Sequence, residues 1–332
     1  MSGGAVLQAR SSASLPGRNP LLIVIAVLGL LLPGLLDNPY YINLATNATI
    51  TLIVALSLNL VVGYSGQFAL CHAAFYGIGA YVPALLATRW NVSPWLGLVV
   101  GLAFTTAITT IVSISVVRLR GYFLSVATLA FGYFVEIFVR QTTEITGGAY
   151  GVNNLPILVL FGQPLRGLAY YFFAAFTLCL IAVLLTNMMR SGVGRAIVAM
   201  RDSPGAAAAS GIHVTQMRVL AFVIAADIAA VAGWLQAFLD LSINPQMLSP
   251  ELTFVWLFMV LIGGLGHPVG VVLGTLLLTL GPNFIGAASF DRALVVAVLM
   301  IIVALFAPQG IGGLFDYILV RGRERLHLGG TA

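Results

Sequence analysis

An all-α, polytopic membrane protein of about ten transmembrane helices is the fold class this sequence predicts, on three observations. Only 8% of the 332 residues are charged and 60% are hydrophobic, whereas soluble domains carry about 25% charged residues. Apolar runs of span length recur along the chain, parted by short polar breaks. The arginines gather in alternate breaks, the bias that orients membrane helices.

Each element follows in order. Residues 1–20 are polar, carry Arg10 and Arg18, and read as a cytoplasmic N-terminal segment. The apolar run 21–36 lacks a small-residue cleavage site after it, so it reads as an uncleaved first span. Asp37-Asn38-Pro39 is an outer turn, and 42–62 is the second span. Residues 63–81 carry Gly63, Gly66, Gly77 and Gly79, with Ser65, Gln67 and His72 among them. Glycines let helices pack closely, and a broken helix within a bilayer needs cover from protein or a water-filled path. Dense packing and direct substrate contact are both open for Gly66, Gln67, His72, Gly77 and Gly79. A span over 94–117 stops at Arg118 and Arg120, and another over 121–140 holds Glu136 and Arg140 at pairing distance along a helix. Residues 141–167 form an outer loop and 168–189 a further span. The span 219–239 has Asp227 near its middle. A lone acid there costs about 3 kcal/mol on an insertion scale, which makes it a functional candidate of unassigned role. Residues 240–251 read as outer loop. Gly263, Gly264 and Gly266 break 252–286 into two short helices, and 291–307 is the last span. Ten spans put Arg118, Arg120, the stretch 190–218, both termini and the basic tail at 308–332 on the inner face, with 21–307 as the transmembrane domain.

The stretch 190–218 cannot sit in a bilayer, and it carries Arg190, Arg195, Arg201 and Arg218. Residues 194–202 read as a helix with Ala196, Ala199 and Met200 on one face. Ser203-Pro204 is a cap and first-turn pair for a second short helix, and Gly211 suits the left-handed position that ends it. A rigid basic helix–turn–helix knob and an ordinary solvated loop both fit this local chemistry.

What is missing narrows the function. There is no nucleotide loop of P-loop type, no nucleophile elbow, no paired catalytic set and no metal spacing among the four histidines. No catalytic residue, metal or cofactor is expected, and the scattered arginines argue against nucleic acid. Cys71 and Cys179 lie in apolar sequence and read as inert core thiols. Transport across the lipid bilayer is the class that remains. An ion-coupled carrier working through Asp227 is the runner-up, and an intramembrane enzyme comes last.

Four motifs in order carry a family resemblance. They are GYSGQFALCHAAFYGIGAY from Gly63 to Tyr81, Thr146-Gly147-Gly148 with Gly151, the run from Gly194 to Ile212, and GGLG at Gly263 to Gly266 followed by Gly270, Leu273 and Gly274. The chain resembles the LivM-type permeases, the membrane subunits of ATP-binding-cassette importers for branched-chain amino acids, from about residue 42 to 314. It departs at Ala69 and Cys71, where serine and glycine are usual. The resemblance implies the type II ABC importer permease architecture in the cell inner membrane, with branched-chain amino acids, or urea and short amides, as solute. The implied partners are two cytoplasmic ATP-binding subunits, a second LivH-like permease and a periplasmic solute-binding protein. By the same resemblance Gly194, Arg195, Ala199, Met200, Arg201, Asp202 and Gly211 belong to the segment that couples to the ATPases, with polar contacts from Arg195, Arg201 and Asp202.

Overall fold

The computed structural model describes residues 38–284 apart from positions 117 and 120. Predicted spans 21–36 and 291–307, the segment 1–20 and the tail 308–332 lie outside the described residues.

Asn38-Pro39 begins a helix rather than only turning the chain. The Asn38 side chain accepts the Tyr40 N–H at 3.0 Å, and Pro39 takes the first turn, where its missing N–H costs nothing. Helix α1 (Pro39–Leu58) runs into a π-helical turn (Asn59–Tyr64). Helix α2 (His72–Arg89) starts only after a non-helical stretch, 65–71. Then come α3 (Pro94–Val116), α4 (Tyr122–Gln141), the single turn α5 (Thr143–Thr146), α6 (Leu168–Arg190), α7 (Gly192–Asp202), α8 (Pro204–Ala209), α9 (Val214–Asp240), α10 (Pro250–Gly263) and α11 (Pro268–Phe284). Five of these segments, α1 with its π turn, α3, α4, α6 and α9, are long and apolar enough to cross a membrane. The chain is a polytopic all-α membrane protein. The predicted division of 252–286 into two short helices holds.

Among the described residues strand structure is confined to two-residue pieces, β1 (Val152–Asn153), β2 (Val159–Leu160), β3 (Gln163–Pro164) and β4 (Ser242–Ile243). β2 and β3 pair antiparallel around Phe161-Gly162, both at positive φ, as a tight hairpin requires. β1 pairs antiparallel with β4, Val152 opposite Ile243.

The core lies where α1, α2 and α9 meet, and α1 is buried along most of its length. Small residues bring α2 and α9 together. A β-carbon on Gly233 would stand 1.8 Å from the Tyr76 carbonyl oxygen, and one on Gly79 would stand 2.3 Å from the Ala230 Cα. Without water to expel, such backbone-to-backbone contact is the main source of adhesion between membrane helices. α3, α4 and α6 are peripheral, with apolar outer faces such as Phe123, Phe134 and Ile137 on α4.

Candidate functional site

The site is built at two helix breaks and the α7–α8 hairpin beneath them. α1 loses its regular ladder at Asn59, whose Oδ1 turns aside to accept the Gly266 N–H at 2.9 Å. The ladder widens there, Ser65 N–H reaching back to the Leu60 carbonyl at 3.0 Å, a π-type step. Residues 65–71 then climb back into the body. His72 Nε2 lies 2.8 Å from the Ser57 hydroxyl, about two helical turns or ~10 Å above Tyr64. Non-helical backbone at that depth must be satisfied by protein, and hydroxyls from neighbouring helices do it. Ser125 donates to the Phe68 carbonyl at 2.7 Å, Thr128 accepts from Leu70 N–H at 2.9 Å, and Thr253 accepts from Ala73 N–H at 2.9 Å. Gln67 donates to Ser65 Oγ at 2.8 Å and to the Arg218 carbonyl at 3.2 Å.

The second break corrects the sequence reading. Residues 240–251, expected to be outer loop, dip into the body instead. A short 3-10 turn (Pro245–Leu248) places Leu248 against Gly77, where a β-carbon would meet its Cδ2 at 2.3 Å. Pro250 reaches Gly132, halfway along α4, and α10 begins there with Ser249 as its cap. Glu251 therefore sits at mid-depth, exposed, with Val255 one turn on. On the same chain, Gly66 and Phe68 of the climbing segment are exposed as well.

The hairpin is compact. Ser203 caps α8, accepting from Ala206 N–H at 3.4 Å. The Ile212 N–H bonds the Ala207 carbonyl and the Gly211 N–H bonds that of Ala208, both at 3.0 Å, with Gly211 at φ +82, which is a Schellman close. The face buried by α7 is Gly194, Ile197 and Met200, while Ala196 and Ala199 are only half-buried, a rotation from the predicted face. Gly194 causes it: a β-carbon there would lie 2.3 Å from the Met189 carbonyl oxygen, so α7 rolls its bare edge against α6. Ile197, Met200, Ala207 and Ala221 form a small core of their own. Arg195 is exposed and donates to the Arg190 carbonyl at 3.0 Å, and Asp202 is exposed. Arg201 turns toward the membrane body, donating from Nη1 to the Gly63 carbonyl, with its stem over Gly66.

The remaining candidates fall to packing or stay apart. Gly63 and Gly266 touch backbone to backbone, and Gly263 lies against Gly270 and Val271. Gly264 and Gly266 make the turn between α10 and α11 at φ +103 and +81. Asp227, at the centre of α9, accepts one hydroxyl from Thr106 of α3, at 2.9 and 3.0 Å to its two oxygens. Arg140 and Glu136 pair at 2.7 Å as predicted. Cys71 is buried, but Cys179 lies exposed on the outer side of α6 rather than in a core, and both thiols are free. Among the described residues no cluster of His, Cys, Asp or Glu is arranged to hold a metal. Sequence reasoning missed Asn59, Ser125, Thr128, Thr253 and Glu251. The signals were a lone asparagine between leucines and a second cap-then-proline pair, Ser249-Pro250.

A family model described as the permease component of branched-chain amino acid transport systems matches residues 40–305. The chain belongs to this family. The permease is 30% identical over 295 residues to the high-affinity branched-chain amino acid transport system permease protein LivM of Salmonella typhimurium, covering 81% of this chain and 69% of that protein. The probable LivH permease of Methanocaldococcus jannaschii is 25% identical over 290 residues, 81% of this chain and 89% of the relative. The fructose import permease FrcC of Rhizobium meliloti is 31% identical over 159 residues, 45% of this chain and 44% of the relative. No solved structure matches the permease.

Proposed function

We propose that the permease is the membrane-spanning subunit of an ATP-driven importer in the cell inner membrane, passing branched-chain amino acids from a periplasmic binding protein to the cytoplasm. Both termini and the α7–α8 hairpin face the cytoplasm, and the hairpin docks on ATP-hydrolysing subunits. A second, LivH-like permease completes the path.

One observation carries this reading. Glu251 at mid-depth, together with the residues Gly66 and Phe68 of the non-helical stretch, is exposed on the described chain. A carboxylate facing lipid at that depth is costly. That side is therefore covered by a second subunit, with a wet passage between the two. The names of the LivM relatives, aligned over 81% of this chain, support the solute class. The described residues offer no engine of their own, so ATP is bound by the partners.

The test is reconstitution into liposomes with the second permease, the ATPases and the binding protein. Leucine uptake is expected to require ATP and all partners. Accumulation by the permease alone, driven by an ion gradient, overturns the reading.

A further inference from the structure

Three segments distant in sequence converge on one side chain. Arg201, in the last turn of α7, donates to the Gly63 carbonyl, one of the acceptors freed where α1 ends. A cation suits that place, since helix carboxyl ends carry partial negative charge. Its Cγ would lie 3.1 Å from a β-carbon on Gly66, and its Nη1 3.2 Å from one on Gly266. Any side chain at those two positions would crowd the arginine. Gly63 and Gly266 are themselves joined: a β-carbon on Gly63 would stand 2.6 Å from the Gly266 nitrogen, and Asn59 holds the Gly266 N–H.

Other ties also join the hairpin region to the membrane breaks. Gln67 reaches the Arg218 carbonyl at the start of α9. Tyr64 packs on the hairpin's small core. The climbing segment 65–71 is bonded back to the end of α1 by Gln67 N–H and the Ser65 hydroxyl, both to the Val61 carbonyl, and to α4 by the Ser125 hydroxyl on the Phe68 carbonyl and Leu70 N–H on Thr128. It is the piece that yields when α7 is displaced, because it lacks a ladder of its own.

We propose that Arg201 is a positioning residue that converts displacement of the α7–α8 hairpin into displacement of segment 65–71 and of the Gly264–Gly266 turn. It grips the membrane body rather than the ATPase. The proposal rests on the importer reading, in which the hairpin is the coupling segment.

The experiment compares wild type, Arg201→Ala and Arg201→Lys in the full complex in proteoliposomes, measuring copurification of the ATPases, ATP hydrolysis and leucine uptake. Arg201→Ala should assemble and hydrolyse ATP, while uptake per ATP falls about tenfold, the scale of one lost charge-assisted hydrogen bond. Arg201→Lys, which keeps a cationic donor, should restore a large part of it. Unchanged uptake per ATP in Arg201→Ala overturns the proposal, and so does loss of the ATPases from a folded Arg201→Ala complex. If Arg201→Ala does not fold, Arg201→Lys decides: a partial fall in uptake per ATP supports the tie and no fall overturns it. Wild type without ATP-dependent uptake sinks the importer reading itself and takes this proposal with it, an outcome distinct from a coupled wild type with an indifferent Arg201.

Discussion

Asp227 and Thr106 sit at the centres of α9 and α3, and one hydroxyl proton serves both carboxylate oxygens. We propose that the acid fastens the two helices together. Asp227→Asn keeps an acceptor for Thr106 and should leave ATP-driven uptake largely intact in the flux assay. Thr106→Val strands the carboxylate and should destabilise the chain by about 1–3 kcal/mol, read from thermal melts of the purified protein. Loss of all uptake in Asp227→Asn, in a protein that melts normally, would instead put the acid on the transport path. The sequence flagged this residue because a mid-span acid stands out among apolar neighbours. It did not reveal Thr106, one of several threonines and serines along α3, since helical period alone does not say which hydroxyl faces which helix.

Helix contact in this protein is made by what glycine lacks, and two substitutions separate that from propensity. Gly233→Ala should drive α9 off the Tyr76 carbonyl and cost about 1–3 kcal/mol. Gly205→Ala, in α8 with open space around it, should be neutral or stabilising by up to about 1 kcal/mol. Melting temperatures of the two variants against wild type check the contrast, and equal effects would refute it. At this scale the sequence was readable wherever local chemistry decides. The Ser203-Pro204 start, the Gly211 stop and the glycine turn at 263–266 are set by φ preference and capping. The face of α7 was not readable, because Met189 on the preceding helix decides which edge lies flat. The descent of 240–251 was missed for a similar reason: a polar loop that enters the body looks like one that stays out.

On the scale of the whole molecule, the flanks of the described residues differ in surface chemistry. The mid-span exposed residues of α4 and α6 are apolar, as at Phe134 and Phe176, whereas at the start of α10 the exposed Glu251 lies one turn from the exposed Val255. In a chain lacking Cys71 and Cys179, a cysteine in place of Glu251 should react with a membrane-impermeant thiol reagent in the assembled complex, and one in place of Phe176 should not. Equal reactivity would remove the distinction between a wet flank and a greasy one. Fold class and family were legible from composition and motif order, while the exposed Glu251 was not, because it arises only when two breaks from opposite ends meet at α4. One small feature ties this depth to the far loops. Strand β1 lies against β4 over only two residue pairs, and a β-carbon on Gly151 would come within 1.9 Å of the Ile243 carbonyl oxygen, so the two strands are keyed together. The exposed Tyr150 therefore stands at one end of a yoke whose other arm runs on to Pro250, halfway down α4.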